Sequence, residues 1–161
     1  MDFGGGIGTH ALANAMSSKV KHVFFVDINQ TNRNFVEYRA KKLGVEKKIT
    51  FCKKIQDTQI LKFDTVVCLD VLEHLADPAS QISIFSEIMD SNSIALLNWY
   101  FYKGDNNEYP FHIEDRQIIE NFNLKSRISK MFQNIKTNYR IKFRYLRILY
   151  CPAKSKLIFD S

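Results

Sequence analysis

The sequence predicts an α/β fold built on a doubly wound, mostly parallel sheet. Three observations carry this. Strand-like and helix-like segments alternate over roughly the first hundred residues. The run Phe63–Leu69 (FDTVVCL) is apolar on both faces, as a strand buried inside a parallel sheet must be. An acid followed by glycines at alternate positions (Asp2, Gly4, Gly6, Gly8) opens the chain directly ahead of a helix-like run. Alternating β and α units give parallel strands joined by crossovers. Ligands of such sheets sit beyond the carboxyl ends of the strands.

The elements follow in order. Thr9–Ser17 reads as a helix that points its free N–H groups at whatever the glycine turn holds. Lys21–Ile28 (KHVFFVDI) is β-branched and aromatic, the composition of a buried strand. Thr31–Leu43 carries Phe35, Val36, Ala40 and Leu43 on one expected helical face, with Gly44 as its C-cap. Ile49–Cys52 is a short strand. Asp77-Pro78 supplies an N-cap and first-turn proline for a helix with Ile82, Phe85 and Ile88 or Met89 inward. Asp90-Ser91-Asn92 is a turn and Ile94–Tyr100 a further strand. Lys103–His112 reads as a loop, and Glu114–Asn121 and Asn123–Ile135 as helices. Tyr139–Tyr150 is strand-rich.

At 161 residues, with 45% hydrophobic and 25% charged residues, the chain has the length and composition of one globular domain. No apolar run approaches the roughly 20 residues needed to span a bilayer, so no membrane partner is expected. Cys52, Cys68 and Cys151 are odd in number and widely spaced, which suits a reducing cytoplasm better than a disulfide framework. The net charge of +6 is uneven. From Gln117 to Ser161 there are ten Lys or Arg against Glu120 and Asp160. A solvated surface is the favoured reading of this stretch over a polyanion-binding face, because no RNA-binding signature accompanies it.

Three features fall at successive strand ends: the glycine turn, Asp27 closing its strand, and Leu69-Asp70-Val71-Leu72-Glu73-His74 after Phe63–Leu69. A carboxylate placed like Asp27 can accept hydrogen bonds from both hydroxyls of a ribose. Together these segments resemble a class I S-adenosylmethionine-dependent methyltransferase. DFGGGIGT is similar to that family's first motif, VDIN to its second, and FDTVVCLDVLEHLADP to the fourth-strand motif of its small-molecule branch. The resemblance runs from Met1 to about His112. It implies a Rossmann-like sheet with S-adenosylmethionine as cofactor and a small-molecule methyl acceptor. Gly4, Gly6 and Gly8 would wrap the cofactor, and Asp2 would fix the turn or meet the cofactor's amino group. Asp27 would hold the ribose, Ile28 would pack on the adenine, and Leu69 and Asp70 would lie near the methionyl end. The family's adenine-binding acid after the third strand has no clear counterpart, since Asp57 comes late.

The family's first strand and the helix before it would lie upstream of Asp2. The chain is therefore expected to be a single methyltransferase domain over residues 1–161, N-terminally truncated. Restoring upstream residues should raise its melting temperature.

Methyl transfer needs a general base only when the nucleophile's pKa lies well above ambient pH. His74 and His112 are the candidate bases, with Glu73 as orienter. Asp70, Glu73 and His74 also form D-x-x-E-H, similar to a metal-associated motif of ubiquinone-biosynthesis O-methyltransferases and to E-x-x-E-H of small-RNA 2′-O-methyltransferases. Relatives without metal share the same string, and no metal ligands are assigned from it. Tyr100 and Tyr102 are candidates for the wall of an acceptor pocket. Three other readings stand beside this one: a degenerate cofactor-binding module, an RNA methyltransferase, and an NAD-type oxidoreductase using Gly6, Gly8 and Ala11. The last is disfavoured by the acid at Asp2 and the D-V-L-E-H segment.

Overall fold

A computed structural model describes residues 1–60, 62–128 and 147–150. The chain folds as two compact units. The first comprises Met1–Leu61 and Val66–Leu69, the second Lys62–Thr65 and Asp70–Ser161.

In the first unit β1 (Asp2–Phe3), α1 (Thr9–Met16), β2 (Val23–Val26), α2 (Gln30–Leu43) and β3 (Ile49–Cys52) follow one another, and β4 (Thr65–Cys68) adds its later residues. The strand order is β3-β2-β1-β4. Asp2 pairs in parallel with Phe25 on one side and with Val67 on the other, and Val23 pairs with Ile49. Although β1 has only two residues, it has a neighbour on each side, and the Met1 carbonyl accepts from the Val67 N–H at 2.9 Å. A doubly wound α/β chain requires this parallel pattern, and the cores of the strands expected over Lys21–Ile28, Ile49–Cys52 and Phe63–Leu69 form.

The core of this unit is Ala11, Leu12, Ala15, Val23, Phe25, Val36, Ala40 and Ile49. α2 begins at Asn29, whose side chain accepts from the Thr31 N–H, and ends at Gly44 in the left-handed region. Its buried stripe is narrower than expected. Val36 and Ala40 are buried, whereas Phe35 and Leu43 are 47% and 48% exposed. The cause is tertiary: Gly8 lies directly over Val36, so the helix turns that side inward and leaves its bulkier neighbours outside.

In the second unit the approach to β4 lies beside the start of β5 (Ile94–Leu97), where the Ile94 N–H donates to the Asp64 carbonyl at 2.9 Å. Beyond the strands, Asn98 pairs with Asp70, so β5 runs in the same direction as that segment. Between them α3 (Pro78–Glu87) is capped by Asp77, which accepts from the Ser80 N–H. It buries Ile82 and Phe85, and of the two residues expected inward after them, Met89 is the buried one. α4 (Arg116–Ile128) is one continuous helix where two were expected. Phe122 supplies the reason: it is fully buried, edge-on to Trp99 and Phe101 at 4.9 and 5.1 Å, and pins the middle of the helix. β6 (Arg147–Tyr150) pairs antiparallel with β5. The rest of the Asn123–Ile135 and Tyr139–Tyr150 expectations lies outside the described residues.

The turn between β1 and α1 sets the sharpest backbone constraint. Gly4, Gly6 and Gly8 have φ of 68°, 54° and 78°, a region L-residues avoid. At Gly8 an added Cβ would also lie 2.5 Å from Val36 Cγ1, whereas at Gly6 it would meet nothing within 4 Å. Gly8→Ala should therefore cost about 3 kcal/mol, strain plus overpacking, and Gly6→Ala only about 1 kcal/mol of strain. Urea midpoints of the two variants check the difference; equal losses would show that Val36 yields without cost.

Candidate functional site: a carboxylate-braced glycine turn and a Glu–His–His cluster

Two buried acids brace the glycine turn in the first unit. Asp2, 4% exposed, accepts the Ala11 N–H on Oδ2 at 2.9 Å, tying β1 to the first turn of α1. Gly5 completes this link in a way the sequence did not reveal. A side chain there would stand 2.7 Å from Asp2 Oδ2 and 2.5 Å from the Phe25 ring, so only hydrogen fits. Asp27, 7% exposed, sits just past β2. Its Oδ2 accepts from the Gly6 N–H at 3.0 Å and from Asn32 Nδ2 at 3.1 Å, and its Oδ1 from the Asn29 N–H at 2.8 Å. Arg39 donates to the Ile7 carbonyl at 2.6 Å, holding the outer side of the turn to α2.

The structure thus brings Asp2, Gly4, Gly6, Gly8 and Asp27 together at the carboxyl ends of β1 and β2: Gly6 bonds Asp27, Gly4 donates to the Val26 carbonyl and Gly8 to the Gly5 carbonyl. Leu69 is half-buried just after β4, the other neighbour of β1. Ile28 is 79% exposed, an apolar side chain facing solvent next to Asp27. Asp57, whose late position set it apart, caps a short 3-10 turn by accepting the Lys54 N–H.

Asp70 belongs to the second unit and is otherwise engaged. Its φ is 53°, its N–H donates to Asn98 Oδ1, and its own Oδ1 accepts from Asn98 Nδ2 at 2.9 Å. Asn98, which the sequence did not single out, satisfies it reciprocally. Immediately after, Leu72–His74 forms a 3-10 turn. The Ile113 N–H donates to the Glu73 carbonyl at 2.8 Å, which draws the loop carrying His112 onto this turn. Glu73, His74 and His112 each present one ligand atom within 4.8 Å of the others, and the two imidazoles meet edge-on at 4.8 Å. His74 Nδ1 lies 3.2 Å from the Phe111 carbonyl and His112 Nδ1 lies 3.1 Å from the Tyr102 carbonyl. A carbonyl only accepts, so both Nδ1 atoms carry hydrogen, and Nε2 is the nitrogen that each ring has left for a proton or another partner. Glu73 is 1% exposed, and neither carboxylate oxygen has a hydrogen-bond partner among the described residues.

An aromatic wall adjoins this cluster. Tyr109 stacks on His112 at 4.9 Å, and Tyr100 stands edge-on to both Tyr102 and Tyr109. The Tyr102 hydroxyl donates to Asp105, and that bond, with burial adding to it, raises its pKa to about 12. Tyr102 is therefore a phenol at neutral pH rather than a base.

A parallel sheet with a braced glycine turn at its carboxyl edge defines a Rossmann-like class I methyltransferase fold. The profile of the methyltransferase domain family matches residues 1–129, and the chain belongs to that family. Among curated proteins it is 28% identical over 85 residues to the ubiquinone biosynthesis O-methyltransferase of Hahella chejuensis (strain KCTC 2396). That match covers 52% of this chain and 36% of the relative, so the chain spans about a third of that protein's length. Among solved structures, PKMT2 from Rickettsia typhi in complex with AdoHcy superposes with TM-score 0.56 at 19% identity, covering 65% of this chain and 21% of that one. The cyclase SpnF superposes with TM-score 0.60 at 17% identity, covering 77% and 49%. At these identities the structures share the fold alone.

Burial pushes the Asp2 carboxyl above its ordinary value of 3.8, aided slightly by Asp27 and opposed by His10, the Ala11 N–H and the terminal amine. A raised value means that the folded chain holds this proton more tightly than the unfolded one. Its stabilising contribution is full below pH 3.8 and is lost as pH rises through the folded value. Asp2→Asn keeps an oxygen for Ala11 and removes the ionisation. The variant should lose less stability than the parent as pH climbs from 3.8, measured by urea unfolding at each pH; parallel curves would refute it.

Proposed function

We propose that the first unit binds S-adenosylmethionine and that the chain transfers its methyl group to an O, N or C nucleophile of a small-molecule acceptor. The single observation that carries this is the turn clamped between Asp2 and Asp27: a rigid backbone cradle next to a buried carboxylate. Family membership and the AdoHcy complex of PKMT2 support the choice of donor, since AdoHcy is the donor after its methyl has left. The odd number and wide spacing of Cys52, Cys68 and Cys151 suit a cytoplasmic setting.

The chemistry asks little covalent work of the protein. The sulfonium is already a good leaving group, and the chain's task is to align two reactants and exclude water. Asp27 is suited to sugar hydroxyls for a countable reason. Its two oxygens offer about four lone-pair sites, and three are taken by Gly6, Asn29 and Asn32. One site is open, and a second opens when the Asn32 amide swings aside, which matches the two donors of a ribose diol. Acceptor activation falls to Glu73, His74 and His112: a neutral imidazole with its Nε2 lone pair bare takes a proton, and the buried carboxylate favours the imidazolium that forms. Tyr100 and Tyr109 offer a flat apolar surface to the acceptor.

Calorimetric titration with S-adenosylhomocysteine should show binding and titration with NAD none. Asp27→Ala should weaken binding at least about tenfold, the scale of a lost charge-assisted bond. Asn32→Ala should stay within about threefold of the parent. Binding of NAD in preference, or indifference to Asp27→Ala, would overturn the donor assignment.

A further inference from the structure

Building on the methyltransferase reading, on which this rests, we propose that the methyl acceptor is an amine, bound as its ammonium ion against Glu73, His74, His112 and the rings of Tyr100 and Tyr109. Charge is the first ground. From Asp70 to Asp115 the chain carries nine Asp or Glu and one basic side chain, Lys103, inside a protein whose net charge is +6. Such a segment draws cations toward it and repels anions. Glu73 alone of these nine acids is buried, at 1% exposed. Neither of its carboxylate oxygens has a hydrogen-bond partner, and no lysine or arginine forms an ion pair with it, among the described residues. A carboxylate so placed is costly unless a cation or donors compensate it.

Counting hydrogens separates an amine from a hydroxyl. The Nδ1 hydrogens of His74 and His112 are spent on the Phe111 and Tyr102 carbonyls. The cluster is left with Nε2 of each ring and the Glu73 oxygens, one atom of each residue lying within 4.8 Å of the other two. In a neutral ring Nε2 only accepts, so the bound group has to bring the hydrogens. A hydroxyl brings one and no charge, whereas a primary ammonium brings three and the positive charge that Glu73 lacks. His74 is exposed and His112 half-buried. The ammonium therefore meets the imidazoles, and Glu73, shut away from solvent, attracts it across a few ångströms of low-dielectric protein. The aromatic wall suits the same guest. Tyr109 stacks on His112 at 4.9 Å, Tyr100 stands edge-on to it at 6.1 Å, and both tyrosines are exposed. Cations are attracted to tyrosine faces within about 6 Å.

The transfer balances with the groups at hand. An ammonium nitrogen has no lone pair, and alkylamines in water keep their proton up to about pH 10, so a base is required. One N–H bond breaks and its proton passes to Nε2 of an imidazole. The freed nitrogen pair forms the new N–CH3 bond, and the S–CH3 bond breaks with its electrons left on sulfur. The donor departs as a neutral sulfide, the product is again a cation, and the imidazolium returns its proton to solvent.

Three probes of similar size and different charge test this on the 161-residue chain without donor: benzylamine, benzyl alcohol and benzoate, followed by calorimetry and by NMR of the histidine rings. Benzylamine should bind at least about tenfold tighter than benzyl alcohol, and benzoate not at all. The ring signals of His74 and His112 should move with benzylamine, and those of His10 and His22 should stay. Glu73→Gln should weaken benzylamine at least about tenfold and change benzyl alcohol less than about threefold. Glu87→Gln, at the exposed end of α3, should leave both within about threefold. Circular dichroism confirms that each variant is folded; should Glu73→Gln not fold, the probe ranking and ring signals of the parent still decide. With S-adenosylmethionine present, primary amines should release AdoHcy and matched alcohols should not. Equal binding of amine and alcohol, a response at His10 or His22 instead, an equal loss in Glu87→Gln, or AdoHcy release with alcohols alone would overturn the proposal. Titration with S-adenosylhomocysteine is read separately: its failure would remove the donor and leave the probe ranking standing.

Discussion

The first unit depends on two carboxylates that hold one glycine turn from either end, Asp27 accepting an N–H of the turn itself and Asp2 one from the first turn of the helix that follows it. Asp2 bonds Ala11 from within β1, and Asp27 bonds Gly6 from the end of β2. Backbone N–H groups at such a turn would otherwise need water or a ligand. Satisfying them with buried acids fixes the turn against two strands and a helix, and that rigidity is what binding would otherwise have to create. The arrangement has a cost, seen in the raised pKa of Asp2: a carboxylate is kept in a poorly solvated place because of where it sits rather than how stable it is.

The fold was largely legible because its signals are local. The two-faced apolarity of Val66–Cys68, the Asp77 cap before Pro78 and the Gly44 stop each act within a few residues. What the sequence hid was tertiary. Phe35 and Leu43 have the spacing of core residues, yet the close approach of Gly8 to Val36 leaves only Val36 and Ala40 of that face buried. Gly5 looks like a spacer between two functional glycines, and only its closeness to Asp2 and Phe25 shows why no side chain fits. Phe122 gives no sign in the sequence that it joins two predicted helices into one.

The site followed the same division. Asp2, Asp27 and the glycines stand in a short stretch whose spacing carries their arrangement. The Glu73–His74–His112 cluster does not, because His112 reaches it from 38 positions further on through a bond between Ile113 and the Glu73 carbonyl. Asn98 was equally hidden, although it decides what Asp70 is free to do. The fold itself leaves the reaction open, and superposition on a cyclase makes the same point. The chemistry has to be read from these side chains.

The division of residues between the two units bears on how the protein can be taken apart. The chain passes from the first unit to the second, returns for Val66–Leu69, and leaves again, so neither unit is an unbroken length of polypeptide. A gene fragment stopping before β4 would deprive Met1 and Asp2 of their partner Val67 and expose one side of the shortest strand. Separating the roles of the two units in this molecule is thus a matter for point substitutions, not for scissors.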